Sequence, residues 1–156
     1  MSRFYPFAVI ITLAVFVVMT LTTGGAFVHF ASVQSLILVV VPTLALSLAN
    51  FSLRDLGRCF SVGFTKGGAD RAELLGARAY FDALGKYLIV SGFIGFFTGV
   101  VVLLANLGGD PTIIGSGTAV ALLTVLYAMI FYILVPVPFG VGIRRRIAEL
   151  EERPQV

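Results

Sequence analysis

The sequence predicts an all-α integral membrane protein with four transmembrane helices, the third extended into the cytoplasm. Three observations lead there. Of the 156 residues, 58% are hydrophobic and only 12% charged, where a soluble domain carries about a quarter charged residues. Four apolar runs approach the ~20 residues that a helix needs to cross the hydrocarbon core. All eleven Lys and Arg fall on one side of those runs.

The runs are Phe4–Leu21, Ser35–Phe51, Tyr87–Leu107 and Gly117–Val137, and none contains Asp, Glu, Lys, Arg or His. Trp is absent, so interfacial anchoring falls to Tyr, Phe, Arg and Lys. Residues 1–156 form a single membrane domain with a loop at 52–86 and a tail at 138–156. Arg3 precedes the first run. Arg54, Arg58, Lys66, Arg71, Arg78 and Lys86 lie between the second and third, and Arg144, Arg145, Arg146 and Arg153 follow the fourth. The segments Thr22–Gln34 and Gly108–Ser116 carry no Lys or Arg. Because cytoplasmic loops hold the excess of Lys and Arg, both termini and the central loop are expected in the cytoplasm. Arg3, the apolar run and "TTGGA" also fit a cleavable signal peptide, although a clear A-x-A site is missing. Cleavage would leave three spans with the same loop orientation.

In the central loop, "SVGFTKGGAD" is Gly-rich and reads as a turn. In "RAELLGARAYFDALGKYL", Leu74, Ala77, Phe81, Leu84 and Leu88 recur every three or four residues. That is one apolar helical face, expected to run on into the third span. Ile143, Ile147 and Leu150 share a face in the tail. Arg144, Arg145 and Arg146 then sit at headgroup level, as a topology anchor or as ligands for anionic lipid.

Close packing of membrane helices depends on small residues. The third span offers Gly92, Gly95 and Gly99, with Asn106 on the same side. The fourth offers Gly117, Ala121, Thr124 and Ala128. These faces are either a packing seam or a stripe presented to a pore or partner. Pro42 should kink the second span, with Thr43 or Ser47 satisfying the freed carbonyl. Asp110 and Pro111 read as a helix N-cap followed by proline at the first helical position.

Enzyme chemistry is not legible. The lone Cys59 and lone His29 have no ligand company, and "GFTKGGAD" lacks the phosphate-loop order. No cofactor, metal or catalytic residue is expected. The basic residues track topology, so nucleic acid is not expected as a partner; membrane lipids are. A self-contained proton carrier needs an intramembrane ionisable group, and these runs have none. A proton-moving role therefore requires a partner that supplies the carboxylate.

The stretch "GFIGFFTGVVVLLANLGGDPTIIGSGTAVALLTVLYAMIFYILVPVP" resembles the last two membrane helices of the MotA/TolQ/ExbB ion-channel subunits, flagellar MotA and PomA above all. Gly92, Ile94, Gly95, Gly99, Leu104–Leu107, Asp110, Pro111, Ile114, Gly115, Ala119–Thr124, Leu126, Tyr127 and Pro136 carry the likeness. "GGAFVHFASVQSLILVVVPTLALSLANFSLRDLGRCF" is similar in order and register through Gly24, Gly25, Phe30, Ser35, Val39, Thr43–Ala45, Phe51, Leu53, Asp55, Leu56 and Phe60. The resemblance implies a homopentameric ring in the bacterial inner membrane. The ring would surround two copies of a single-span MotB/TolR/ExbD-like protein that bears the ion-carrying aspartate. It implies ion flow, expected to be of protons, coupled to rotation. Thr124, Ala121, Ala128, Thr98, Gly95 and Gly99 would then face the ion path or the partner, while Gly92, Gly117 and Pro136 would pack helices. A non-conducting scaffold that keeps the fold is the alternative.

The chain departs from the family at three points. The third-span threonine falls on Phe96, with Thr98 about 200° further round the helix. The second threonine of the fourth-span pair is Val125. The central loop is far shorter than the one through which flagellar MotA meets its rotor.

Overall fold

The computed structural model of the chain describes residues 10, 11, 14, 32–64, 68–108 and 111–152, the backbone only for 111–113. The expected first span lies outside them save for Ile10, Ile11 and Ala14, which are helical. His29 and Asp110 also lie outside. Five further helices follow: α1 (Val33–Asn50), α2 (Leu53–Phe64), α3 (Arg71–Ala105), α4 (Pro111–Leu134) and α5 (Pro136–Glu151). There is no strand among the described residues. Three helical runs are long and apolar enough to cross a membrane: Val33–Asn50, Arg71–Ala105 and Ile114–Glu151.

Helix α1 starts at Ser32, whose hydroxyl accepts the Ser35 N–H. Its burial is reversed from that of a soluble helix. Ser35, Val39, Thr43 and Ser47 are buried, while Val33, Ile37, Val41, Leu44 and Leu48 are exposed. A helix facing hydrocarbon has this pattern, because lipid solvates leucine while hydroxyls need a partner. The helix runs on through Pro42. Thr43 and Ser47 donate to the carbonyls of Val39 and Thr43, at 2.7 and 2.8 Å. The carbonyl that Pro42 deprives of an N–H belongs to Leu38, four residues back. The two hydroxyls therefore bond carbonyls further along the helix, and not the Leu38 carbonyl that they were expected to satisfy.

Helix α3 has 35 residues, about 52 Å at 1.5 Å per residue, and exceeds the ~30 Å hydrocarbon core. Asp70 and Glu73 close a capping box at its start. The expected apolar face is buried throughout: Leu74, Ala77, Phe81, Leu84 and Leu88 are all under a tenth exposed. They pack against Cys59 and Val62 of α2 and Ile143 and Ile147 of α5. Leu150, expected on the same face, is exposed. The last turn of α5 reaches the first turn of α3, where Arg71 meets Glu151 at 3.0 Å.

Two boundaries differ from the sequence reading. Ser61–Phe64, read as part of a turn, is the last turn of α2. Among the described residues there, Gly68–Asp70 lie outside a helix, with Gly68 at φ 84°. Leu56, Cys59 and Phe60 give α2 an apolar side that the core covers, and burial outweighs the low helix propensity of Gly57 and Gly63. Helix α4 begins at Pro111, the first helical position expected from the Asp110–Pro111 pair, six residues ahead of the apolar run that starts at Gly117. Proline at the first position starts a helix at no hydrogen-bond cost.

Burial, and then the Asp55 carboxylate, push the Cys59 thiol up from its ordinary value. The thiolate is the reactive form, so a raised value means slower alkylation at a given pH. Cys59 is expected to react with iodoacetamide far more slowly in the folded chain than in denaturant. The folded chain's rate should also climb at higher pH than that of a free thiol. Equal rates in the two states would contradict its burial.

Candidate functional site

The small-residue faces singled out in the sequence meet each other. Helices α3 and α4 run antiparallel, so Gly92, Gly95 and Gly99 face Ala128, Thr124 and Ala121 in that order. A Cβ on Gly92 would lie 2.6 Å from the Ala128 Cβ, and one on Gly95 2.7 Å from the Thr124 Cγ2. At Gly99 the obstacle is backbone, the Ala121 amide nitrogen at 2.7 Å. Gly117 continues the seam toward the N-terminus of α4: a Cβ there would meet the Gly99 carbonyl and the Leu103 nitrogen at 3.4 Å.

Thr124 is fully buried in this seam, and its hydroxyl donates to the Ala121 carbonyl at 2.8 Å. Ala121 and Ala128 are buried beside it. Within one chain these residues serve the helix pair. Thr98 stands apart, exposed, its hydroxyl donating to the Ile94 carbonyl at 2.8 Å. It lines a small cleft of about 90 Å3 with Gln34, Ser116 and Val120. Phe96 is half-buried and meets the Phe97 ring edge-on at 5.5 Å. Val125 lines an apolar groove with Ile89, Phe93 and Met129.

At the C-terminal end of α4, Pro136 is the first residue of α5 and is buried. Lacking an N–H, it breaks the run between α4 and α5. It packs on α3, where a Cβ on Gly85 would lie 3.5 Å from the Pro136 Cβ. At the other end of the pair Pro111 opens α4. Asn106 ends α3 and donates to the Val102 carbonyl at 2.7 Å.

The sequence reading passed over a polar ladder on the other flank of α3. Thr43 Oγ1 and Ser91 Oγ lie 3.2 Å apart, both buried. The Ser35 hydroxyl reaches the Val120 carbonyl at 3.5 Å, and the Ser32 N–H donates to the Tyr127 hydroxyl at 3.0 Å. These bonds tie α1 to the α3–α4 pair, each worth about 0.6 kcal/mol by the average for interhelical bonds in a membrane. The signal was present as the four-residue spacing of Ser35, Val39, Thr43 and Ser47.

The three consecutive arginines separate in the fold. Arg146 donates to the Val62 carbonyl at 2.7 Å, in the last turn of α2, where carbonyls lack helical partners. Arg144 meets Asp82 of α3 at 2.8 Å. Arg145 is exposed. No group of three or more metal-ligating side chains occurs among the described residues. No protein-family model and no curated protein matches this chain.

Proposed function

We propose that the chain is a MotA-like subunit of a channel or motor complex in the bacterial inner membrane, driven by the proton gradient. Five copies surround a single-span partner of the MotB/TolR/ExbD kind, whose aspartate carries the ion. The chain contributes four spans, with both termini, the loop at 52–86 and the tail at 138–156 in the cytoplasm. Part of α3 extends beyond the bilayer on that side. One observation carries the reading: an antiparallel α3–α4 pair, closed by a glycine–alanine–threonine seam, falls on the segment whose sequence resembles that family. The pair also leaves Phe93, Ile94, Phe97 and Val101 of α3 and Leu122 and Met129 of α4 exposed, an apolar surface for neighbouring subunits or lipid.

A non-conducting scaffold is the second reading, and Thr124 favours it. Its hydroxyl is turned to its own helix and covered by α3, and Phe96 stands at the other expected threonine position. Purification from the native membrane, followed by reconstitution in vesicles, separates the two. The channel reading expects a co-purifying single-span protein with a membrane Asp, and a proton flux that needs that Asp. It also expects Thr124→Val to lower the flux several-fold. Ring assembly with no partner-dependent flux would select the scaffold, and an unchanged flux in Thr124→Val would remove that hydroxyl from the path.

A further inference from the structure

Two adjoining hollows run along the junction of α3, α4 and α5. One, of about 460 Å3, is walled by Ile89, Phe93, Val125, Met129 and Ile133. The other, of about 490 Å3, is floored by Phe81, Gly85 and Gly140 and rimmed by Asp82, Lys86 and Arg144. Ile89 and Tyr132 belong to both, so the hollows form one groove, apolar along its length and cationic at one end.

The charge at that end is positive. Asp82 is shared between Arg144 at 2.8 Å and Arg78 at 3.7 Å. Lys86 has no ion pair among the described residues. Three cations against one carboxylate leave a net charge of +2. The floor is also open. Gly140 is buried, yet a Cβ built on it meets nothing within 4 Å among the described residues. Arg146 is turned away to the Val62 carbonyl, so of the arginine triplet it is Arg144 that faces the groove.

We propose that this groove holds one anionic phospholipid, its phosphate between Lys86 and Arg144 and an acyl chain along Ile89, Phe93, Met129 and Ile133. Any apolar groove in a bilayer meets lipid tails. The charged rim adds selection of the headgroup, because a Lys or Arg near the surface favours an anionic lipid by on the order of five-fold.

The test is native mass spectrometry of the full chain, released from micelles that contain equal phosphatidylglycerol and phosphatidylcholine. The wild type should retain phosphatidylglycerol over phosphatidylcholine, by on the order of twenty-five-fold for two cations. Lys86→Gln, which leaves every ion pair named above intact, should reduce that preference several-fold. Gly140→Leu fills the open floor without changing a charge, and leucine suits a helix better than glycine. It should remove the adduct. Equal retention of the two lipids by the wild type would overturn the proposal. So would an adduct that survives Gly140→Leu, or one displaced by millimolar inorganic phosphate. A changed oligomeric state in Gly140→Leu with lipid retention intact would assign the groove to a second copy of the chain instead. Should Gly140→Leu fail to fold, the Lys86→Gln preference decides alone.

Discussion

Replacing Gly99 by leucine is expected to force α3 and α4 apart and to cost about 3 kcal/mol or more, the upper range for overpacking a tight core. The obstacle is backbone. A Cβ on Gly99 would lie 2.7 Å from the Ala121 nitrogen and 2.8 Å from its Cα, and no rotamer change relieves either. Gly95→Ala should be milder, since its nearest obstacle is the Thr124 side chain. Gly115→Leu serves as the control, because that position is exposed and its Cβ meets nothing within 4 Å. Thermal unfolding of the detergent-solubilised chain reads the series. Gly99→Leu should have the lowest midpoint and Gly115→Leu one at or above wild type. Equal midpoints across the series would mean that the two helices do not pack through these glycines.

Phe81→Ala is expected to damage a different part of the molecule. Phe81 is 1% exposed and stacks on Phe139 with ring centroids 4.9 Å apart. Phe60 and Tyr80 meet it edge-on at 5.4 and 5.2 Å. Removing a buried phenylalanine costs about 3–5 kcal/mol through lost transfer energy and the cavity left behind. The loss falls on the layer formed by α2, α5 and the first half of α3. Amide hydrogen exchange in α2 should therefore accelerate strongly while the α3–α4 seam stays protected. Phe97→Ala, at a position 60% exposed, should change little in detergent. Unaltered exchange of α2 in Phe81→Ala would show that the aromatic cluster does not hold that helix.

The ion pairs of this layer contribute less. Arg71–Glu151, Arg58–Glu73 and Arg78–Asp82 join side chains that are 38–75% exposed, and exposed pairs contribute about 0–1 kcal/mol each. They fix orientation, above all by tying the end of α5 to the start of α3. The aromatic core supplies the stability.

Much of the candidate site was legible one helix at a time. The face of Leu74, Ala77, Phe81, Leu84 and Leu88 was plain from its spacing, and so were the small faces of α3 and α4. The hydroxyl ladder of α1 was less so, because Ser and Thr in an apolar run do not announce whether they turn inward. The sequence missed α2, since its glycines argue for a turn and its apolar side gains stability only under a cover the sequence does not display. The Gly140 floor was invisible for the same reason: an open space is defined by three helices at once.

By itself the sequence determined that this chain belongs in a membrane, which runs are apolar enough to cross it, and which side of each helix is smooth. Hydropathy and residue period dictate those properties locally, through the cost of burying charge in hydrocarbon and the 3.6-residue turn. Only the tertiary structure decided that the glycines of α3 meet the alanines and threonine of α4, that the Thr124 hydroxyl bonds to its own helix, and that Arg144 and Arg146 take different partners. Periodicity reports a face and never its neighbour. A smooth face accepts any helix that fits, and the choice is made by the backbone contacts, hydrogen bonds and side-chain volumes of all the helices together.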